Sequence, residues 1–164
     1  MSKDVFSASI TPITRYLIIE ENLDKCNGIH VADNKSRFDF LCEGSEFCSQ
    51  QQICMEVTQD LLELGQRGLV ILVGHSIDGD IEALRGIGLD LQDMFDKVLD
   101  IALLHQGRHH LSQKRSLSKI LDESDIVYQN LHNAGNDAHY TLCGGISLLR
   151  KWGFEDLGGS LELL

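Results

Sequence analysis

A run of five apolar residues, Leu69 to Val73, constrains the fold of this chain more than any other stretch. The run has the length of a β-strand, and it lacks the alternating polar positions of a strand with one face in water. Such a run is typical of a strand that is buried on both faces in a parallel sheet. We therefore expect this strand to lie inside a sheet that helices cover on both sides.

Strand and helix patterns alternate along the rest of the chain. They comprise strands at 5–10, 15–20 and 97–101, helices at 51–64, 77–86, 116–121 and 136–152, and polar loops at 21–50 and 106–113. This alternation predicts an α/β fold with a sheet flanked by helices on both faces. In the last helix, the apolar spacing predicts a buried stripe of Ala138, Leu142, Ile146 and Leu149.

The composition is that of one soluble domain. The chain has 164 residues, of which 43% are hydrophobic and 24% charged, so we expect a single domain over 1–164 with a loosely held tail at 153–164. The five cysteines form no Cys-x-x-Cys pair, which favours free thiols in a reducing compartment. We expect no membrane segment and a location in the cytoplasm or nucleus.

The net charge of −11 counts against a generic phosphate-binding surface. It does not exclude an enzyme that reaches the phosphate through a divalent metal.

Acids and histidines follow the predicted strands or open the last helix. They are His75, Asp78, Asp80, Asp100, His132 and Asp137. Because ligands of such sheets bind beyond the carboxyl ends of the strands, we expect several of these groups to converge there. Carboxylates from separate elements suit Mg²⁺ or Mn²⁺, and a nearby histidine can deprotonate a metal-bound water.

Two of these motifs resemble those of the DEDDh 3′–5′ exonucleases, which have a ribonuclease-H-like mixed sheet. Residues 74–81, with the sequence GHSIDGDI, are similar to the second motif, in which a histidine and usually an asparagine follow a strand; here Ser76 replaces that asparagine. His132 and Asp137 match the third motif, histidine-x₄-aspartate. The HNAGNDA sequence is similar to a fungal branch of this superfamily that includes a protein linked to messenger-RNA export.

The resemblance implies roles for three residues. Asp80 and Asp137 would help to hold Mg²⁺ or Mn²⁺ on the scissile phosphate, and His132 would be the general base. His75, Asp78 and Asp100 would support the site. The implied substrate is the 3′ end of single-stranded RNA or DNA.

The family's first motif, Asp-x-Glu on its first strand, does not occur before the second motif in this sequence, and Glu20–Glu21 is the nearest acidic pair. We therefore expect a domain that lacks its first strand or strands, either as an N-terminal truncation or as a degenerate member. Nuclease activity should be very weak or absent. Residues 5–10 or a second copy of the chain would fill the exposed sheet edge.

Simpler interpretations stand beside these. His75 can bond to the backbone, Asp78 can serve the helix start, and Cys143 can be a packed thiol. His105, His109 and His110 match no standard zinc spacing, which favours a solvated loop. A non-catalytic module that binds RNA or a protein partner is the alternative function, and the negative charge favours a protein.

Overall fold

The computed structural model describes residues 15–23, 46–91 and 93–151. The amino-terminal part comprises β1 (Leu17–Ile19), a 3₁₀ turn (Glu20–Asn22), β2 (Glu46–Cys48) and α1 (Gln50–Arg67). It is followed by β3 (Ile71–Gly74), α2 (Asp78–Gly86), β4 (Lys97–Asp100), α3 (Ile101–Arg108), α4 (Leu117–Glu123) and α5 (Ala134–Lys151). The strand predicted at 5–10, Trp152 and the tail at 153–164 lie outside these described ranges.

The four described strands form two separate parallel pairs, β1 with β2 and β3 with β4. In the second pair, Gly74 lies opposite Asp100, so both strands end at the same edge. His75 follows one strand there and α3 begins directly after the other. The carboxyl ends of β3 and β4 therefore define one polar edge, as expected for adjacent parallel strands.

Local sequence accounts for the helix starts. Ser49 begins α1 with a capping box, in which its hydroxyl accepts from the Gln52 amide and the Gln52 side chain accepts from the Ser49 amide. Ser116 caps α4 by accepting from the Lys119 amide, as predicted. Helix α1 continues through Gly65, because an isolated glycine weakens a helix without stopping it. The helix ends at Arg67, and Gly68 is its cap residue.

Arg15 connects the first strand pair to α1. Its guanidinium lies 2.9 Å from the Glu46 carboxylate on β2 and 2.7 Å from the Glu56 carboxylate on α1. These two hydrogen bonds raise the pKa of Arg15 further above its ordinary value, so the guanidinium stays charged at every working pH.

The core lies between α3, α4, α5 and β3. Ile101 and Ile120 are fully buried and Leu148 is 3% exposed; Val73 and Leu117 pack against this cluster. Gly145 lets α5 approach closely, because a Cβ added there would lie 3.3 Å from Ile101 Cγ2 and 3.5 Å from Val73 Cγ1.

The stripe predicted for α5 is wrong in its position. Ala138 is exposed and Leu142, Ile146 and Leu149 are only partly buried. The fully buried positions are Gly135, Asn136, Tyr140, Thr141, Gly144, Gly145 and Leu148. The glycines draw the contact face toward themselves because the smallest side chains permit the closest helix packing.

Three other sequence predictions differ from the structure. Leu69 and Ile71 are 72% and 42% exposed, so burial of the run on both faces is wrong at these positions. The strand β2 lies within the stretch predicted as a loop at 21–50, and α3 extends to Arg108 within the loop predicted at 106–113. No helix in the described ranges is long and apolar enough to cross a lipid bilayer.

Candidate functional site

The turn between β3 and α2 is held by Asp100. Ser76 has a left-handed backbone, with a φ angle of 57°, and its amide donates to Asp100 Oδ1 at 3.1 Å. The same carboxylate oxygen accepts from the amides of Ala102 and Leu103 and so caps α3. Asp100 therefore fixes the turn after β3 relative to the start of α3.

The side chain of Asp100 is 8% exposed, and Lys114 Nζ lies 3.3 Å from its Oδ2. Burial by itself would raise the pKa of this carboxyl. The amides of Ser76, Ala102 and Leu103 and the Lys114 ammonium outweigh burial and hold the pKa below its ordinary value. Asp100 supports the turn as a structural anion whose acceptor capacity is already used.

His75 bonds to the main chain at the start of α4. Its Nε2 lies 2.8 Å from the carbonyl oxygen of Arg115. A carbonyl oxygen only accepts, so Nε2 carries the hydrogen and donates it. Nδ1 is the ring nitrogen that this hydrogen bond does not use. The backbone-bonded interpretation of His75 is thus confirmed, and the bond also fixes the orientation of the ring.

The segment before α5 has a second strained backbone position. His132 is exposed and has a φ angle of 71°, and its amide donates to Asp137 Oδ1 at 3.1 Å. A non-glycine residue in the left-handed region costs free energy and is maintained by its surroundings. Here the Asp137 carboxylate provides one of the bonds that maintain it.

Two buried asparagines secure the same segment. Asn133 is 1% exposed and Asn136 is fully buried. Asn133 Oδ1 accepts from the Asn136 amide at 3.1 Å, and its main-chain carbonyl accepts from the Asp137 amide at 2.8 Å. Asn136 Nδ2 donates to the Asn130 carbonyl at 3.1 Å. Asn133 is therefore the cap of α5, which begins at the next residue.

The electrostatics show that Asp80, Asp137 and the two histidines lie near one another. Burial raises the pKa of Asp80, against the attraction of His75. Burial is also the main cause that raises the pKa of Asp137, and the negative charge of Asp80 adds to it. The amide and the charge of His132 and the charge of His75 act in the opposite direction on Asp137. The turn after β3 and the start of α5 thus converge.

Asp80 is exposed and its charge raises the pKa of the half-buried Asp137. A hard divalent cation would suit two such neighbouring carboxylates, because it would neutralise both. The fit to a two-metal centre is incomplete in the described ranges. Three ligand atoms within 4.8 Å of one another occur there at His105, His109 and Glu123, and that group includes neither aspartate. Asp80 and Asp137 are thus candidate cation ligands in this region of the described structure.

Two other acids that the sequence analysis named are placed elsewhere: Asp78, which was expected to support the site, and Glu21, from the acidic pair nearest to a first motif. Asp78 is exposed and is the first residue of α2, and the cap position is Ile77. Asp78 therefore does not cap the helix, but its negative charge can interact favourably with the helix dipole. Glu21 accepts from the Gln50 amide at the start of α1 through both carboxylate oxygens, at 3.0 and 3.1 Å. Glu21 is thus engaged as a helix-start anion.

Sequence reasoning missed the positioning residues. Ser76 appeared only as a departure from a motif, and nothing in the pattern indicated its left-handed backbone. Lys114 carried no signal for its contact with Asp100. The excess of asparagines before α5 was the one available signal, because asparagine favours helix caps and left-handed positions.

Comparisons with known proteins identify the family of this chain. The family described as "DNA polymerase III subunit epsilon-like, C-terminal domain" of the DEDDh type matches residues 6–148. Among curated proteins, "Good for full DBP5 activity protein 2" of Saccharomyces cerevisiae is 30% identical over 162 residues, which cover 82% of this chain and 28% of the relative. The uncharacterized protein YDR514C of the same yeast is 29% identical over 181 residues, covering 91% of this chain and 37% of its own length.

The chain thus spans roughly a third of the length of these two relatives. The family match covers most of the chain, and the alternating strands and helices have the α/β architecture of a ribonuclease-H-like fold, with four strands in the described ranges. The chain belongs to the DEDDh family of DNA polymerase III epsilon-like C-terminal domains, within the exonuclease superfamily.

Proposed function

We propose that this domain binds one divalent cation, Mg²⁺ or Mn²⁺, between Asp80 and Asp137. Through this cation it would hold the 3′ end of a single-stranded nucleic acid and hydrolyse it very slowly or not at all. The observation that carries the proposal is that the negative charge of Asp80 raises the pKa of Asp137 by repulsion, while His75 and His132 act on the same carboxyl in the opposite direction. A cation would remove that repulsion, and a phosphate could then complete its coordination.

His132 is the candidate general base. It is exposed, and its backbone is held by Asp137, so binding of a cation to Asp137 would fix the position of the imidazole relative to the metal. A neutral imidazole within reach of a metal-bound water can take its proton. His75 would act differently, as a positioning residue. Its ring bonds to the Arg115 carbonyl, and its charge attracts the carboxylates of Asp80 and Asp137.

The expected slowness has a physical reason. Hydrolysis by two metals requires carboxylates that hold both ions on the attacking and leaving oxygens. In the described ranges, Asp100 is engaged with backbone amides and Lys114, and Glu21 is engaged at α1. Asp80 and Asp137, the second of which also accepts from the His132 amide, suit one ion. One ion can bind a phosphate more readily than it can stabilise an in-line displacement.

Calorimetric titration of Mn²⁺ tests the cation site. Wild-type protein should bind one equivalent, and both Asp80→Asn and Asp137→Asn should weaken that binding at least about tenfold, since each loses a ligand charge. Asp78→Asn is the matched control, because Asp78 is an exposed carboxylate two residues from Asp80 on the same helix. Equal heats in the wild type and all three variants would contradict the proposal.

End-labelled RNA and DNA oligonucleotides then test the substrate. We expect Mn²⁺-dependent binding of single strands, and any trimming should start at the 3′ end and be lost in His132→Ala and Asp137→Asn. Binding that is independent of Mn²⁺ and unchanged in both variants would place nucleic acid elsewhere on the domain.

A second candidate is a non-catalytic module that binds a protein in RNA metabolism. It is favoured by the net charge of −11, which disfavours naked phosphate backbones, and by the name of the relative "Good for full DBP5 activity protein 2". Absence of Mn²⁺ binding together with absence of nucleic-acid binding would favour this candidate over the first.

A further inference from the structure

We propose that His105, His109 and Glu123 form a second metal site, which takes Zn²⁺. One ligand atom from each of these residues lies within 4.8 Å of the others. The three residues, here called the α3–α4 cluster, share no member with the candidate site at Asp80 and Asp137. The inference therefore stands independently of the proposed function.

Helix geometry brings the two histidines together. His105 lies in α3 and His109 is the residue that ends it, four positions later. Residues at this spacing lie on the same face of a helix. The two rings accordingly lie with their centroids 4.4 Å apart and their planes inclined by 31°. The placement of His105 is also a correction, because a solvated loop was expected and this side chain is 1% exposed.

Glu123 completes the cluster from the end of α4. Its Oε2 lies 2.8 Å from His105 Nε2. The cluster thus offers two imidazoles from α3 and its cap and one carboxylate from α4. His105 is buried, whereas His109 and Glu123 are exposed, so one side of the cluster is open to solvent.

A second observation points to a ligand. His105 Nδ1 is buried, and no residue in the described ranges gives it a hydrogen bond. Buried polar atoms are nearly always paired, and a bound ion is one ordinary explanation for an exception. Glu123 is bonded to the other ring nitrogen, Nε2, so an ion held by Nδ1 requires the exposed Glu123 side chain to turn from Nε2 toward the ion.

The donor set selects the metal. Imidazole nitrogens with one carboxylate suit Zn²⁺, whereas Mg²⁺ and Ca²⁺ prefer oxygen ligands throughout. In a tetrahedral site with bonds of about 2.0–2.1 Å, the ligand atoms are roughly 3.4 Å apart. The ligand atoms of the cluster lie within 4.8 Å of one another, so they would have to adjust their separations to bind an ion. His105 is fixed by burial, and the exposed side chains of His109 and Glu123 would make this adjustment. Water would take the fourth position.

Calorimetric titration of Zn²⁺ into the full chain tests the inference. We expect one equivalent that binds to the wild type and to Asp137→Asn, and whose affinity falls at least about tenfold in His109→Ala and in Glu123→Gln, because each variant lacks one ligand. The matched control is His110→Asn. His110 is an exposed neighbouring histidine outside the cluster, with a φ angle of 50° that asparagine tolerates.

Circular dichroism checks that each variant is folded; His109 and Glu123 are exposed, so their replacement should leave the core intact. Zn²⁺ should also raise the melting temperature of the wild type and of His110→Asn, and should fail to do so in His109→Ala. A wild type that binds no Zn²⁺, or variants of His109 and Glu123 that bind it as tightly as the wild type, would overturn the inference. Loss of Mn²⁺ binding alone would concern only the proposed function.

Discussion

Asp100 links two segments at the candidate site, because one carboxylate oxygen serves both the Ser76 amide and the first amides of α3. We expect Asp100→Ala to lower the free energy of unfolding by about 1–2 kcal/mol, the usual cost of a lost helix cap. Asp100→Asn should cost less, because it keeps an oxygen acceptor. Urea denaturation measures both, and an unchanged midpoint in Asp100→Ala would contradict the proposed linkage.

The same carboxylate predicts a pH dependence. Its pKa in the folded protein is below the ordinary value of 3.8. Between these two pKa values the unfolded chain binds more protons, so stability falls as the pH drops from about 3.8 through the folded pKa. The stability difference between the wild type and Asp100→Asn should therefore be largest above pH 4 and shrink in stronger acid, as urea titrations at several pH values would show.

Asp137 predicts the opposite sign. Burial raises its pKa above the ordinary 3.8, so ionisation of this group at neutral pH costs the folded state free energy. We expect Asp137→Asn to melt at a higher temperature than the wild type at pH 7 without added metal, since the asparagine oxygen can still accept from the His132 amide. The gain should vanish below pH 3.8.

Asp78→Asn is the control for this comparison, because it changes the net charge by the same amount but removes an exposed carboxylate. An equal gain in both variants would show that overall charge, and not the local site, is the cause.

At the residue scale, the sequence was more informative about the motif residues than about the residues that hold them in position. His75, Asp80, His132 and Asp137 were named from motif spacing, and the structure brings them near one another; their roles in metal binding and catalysis stay predictions. Ser76 was harder to assign, because its left-handed turn is held by a contact with the distant Asp100.

At the scale of elements, the junction of β3 and α2 is tightly packed at Gly74. A Cβ added to Gly74 would lie 2.6 Å from Ile77 Cβ, and Ile77 is 6% exposed. We expect Gly74→Ala to lower the free energy of unfolding by about 1–3 kcal/mol, the usual cost of overpacking. Thermal or urea unfolding measures the effect.

Gly79 offers a matched glycine on the next element. A Cβ there would meet nothing within 4 Å, and the position lies in α2. Gly79→Ala should therefore stabilise the protein by about 0.5–1 kcal/mol, through the higher helix propensity of alanine. Equal effects of both alanine substitutions would contradict the packing described for Gly74.

Element boundaries followed local signals where those signals were strong. A strand within 15–20 and a helix near 116–121 were confirmed. The strand β1 is shorter than predicted, at Leu17–Ile19, and α4 begins at Leu117 with Ser116 as its cap. The three-residue strand β2 was missed, because its pairing with β1 spans a long stretch of sequence and leaves little periodicity. The face of α5 was misjudged because glycine carries no hydrophobic signal but determines the closest approach.

At the scale of the whole molecule, the α/β class and the family were predictable from alternation and motifs, whereas the grouping of strands was not. The described strands form two parallel pairs, and parallel pairing is determined by long-range contacts that a local pattern does not encode. Val98 on β4 is 47% exposed beside its partner Leu72, so this pair leaves apolar surface uncovered by the described elements.

Such a strand favours association with a second copy. We expect concentration-dependent dimers in light scattering, and Val98→Lys should shift them to monomers by placing a charge on β4. Val127→Lys is the control, since Val127 is 92% exposed and lies outside the strands. A wild type that stays monomeric at high concentration would leave residues 5–10 as the expected cover of the edge.

The left-handed turn at Ser76 gives a conformational meaning to a departure that first looked chemical. The related motif usually has asparagine at this position, and asparagine is the non-glycine residue that best tolerates a φ angle such as the 57° found here. By using serine, this chain adopts the turn at a higher local cost, which asparagine at position 76 would lower.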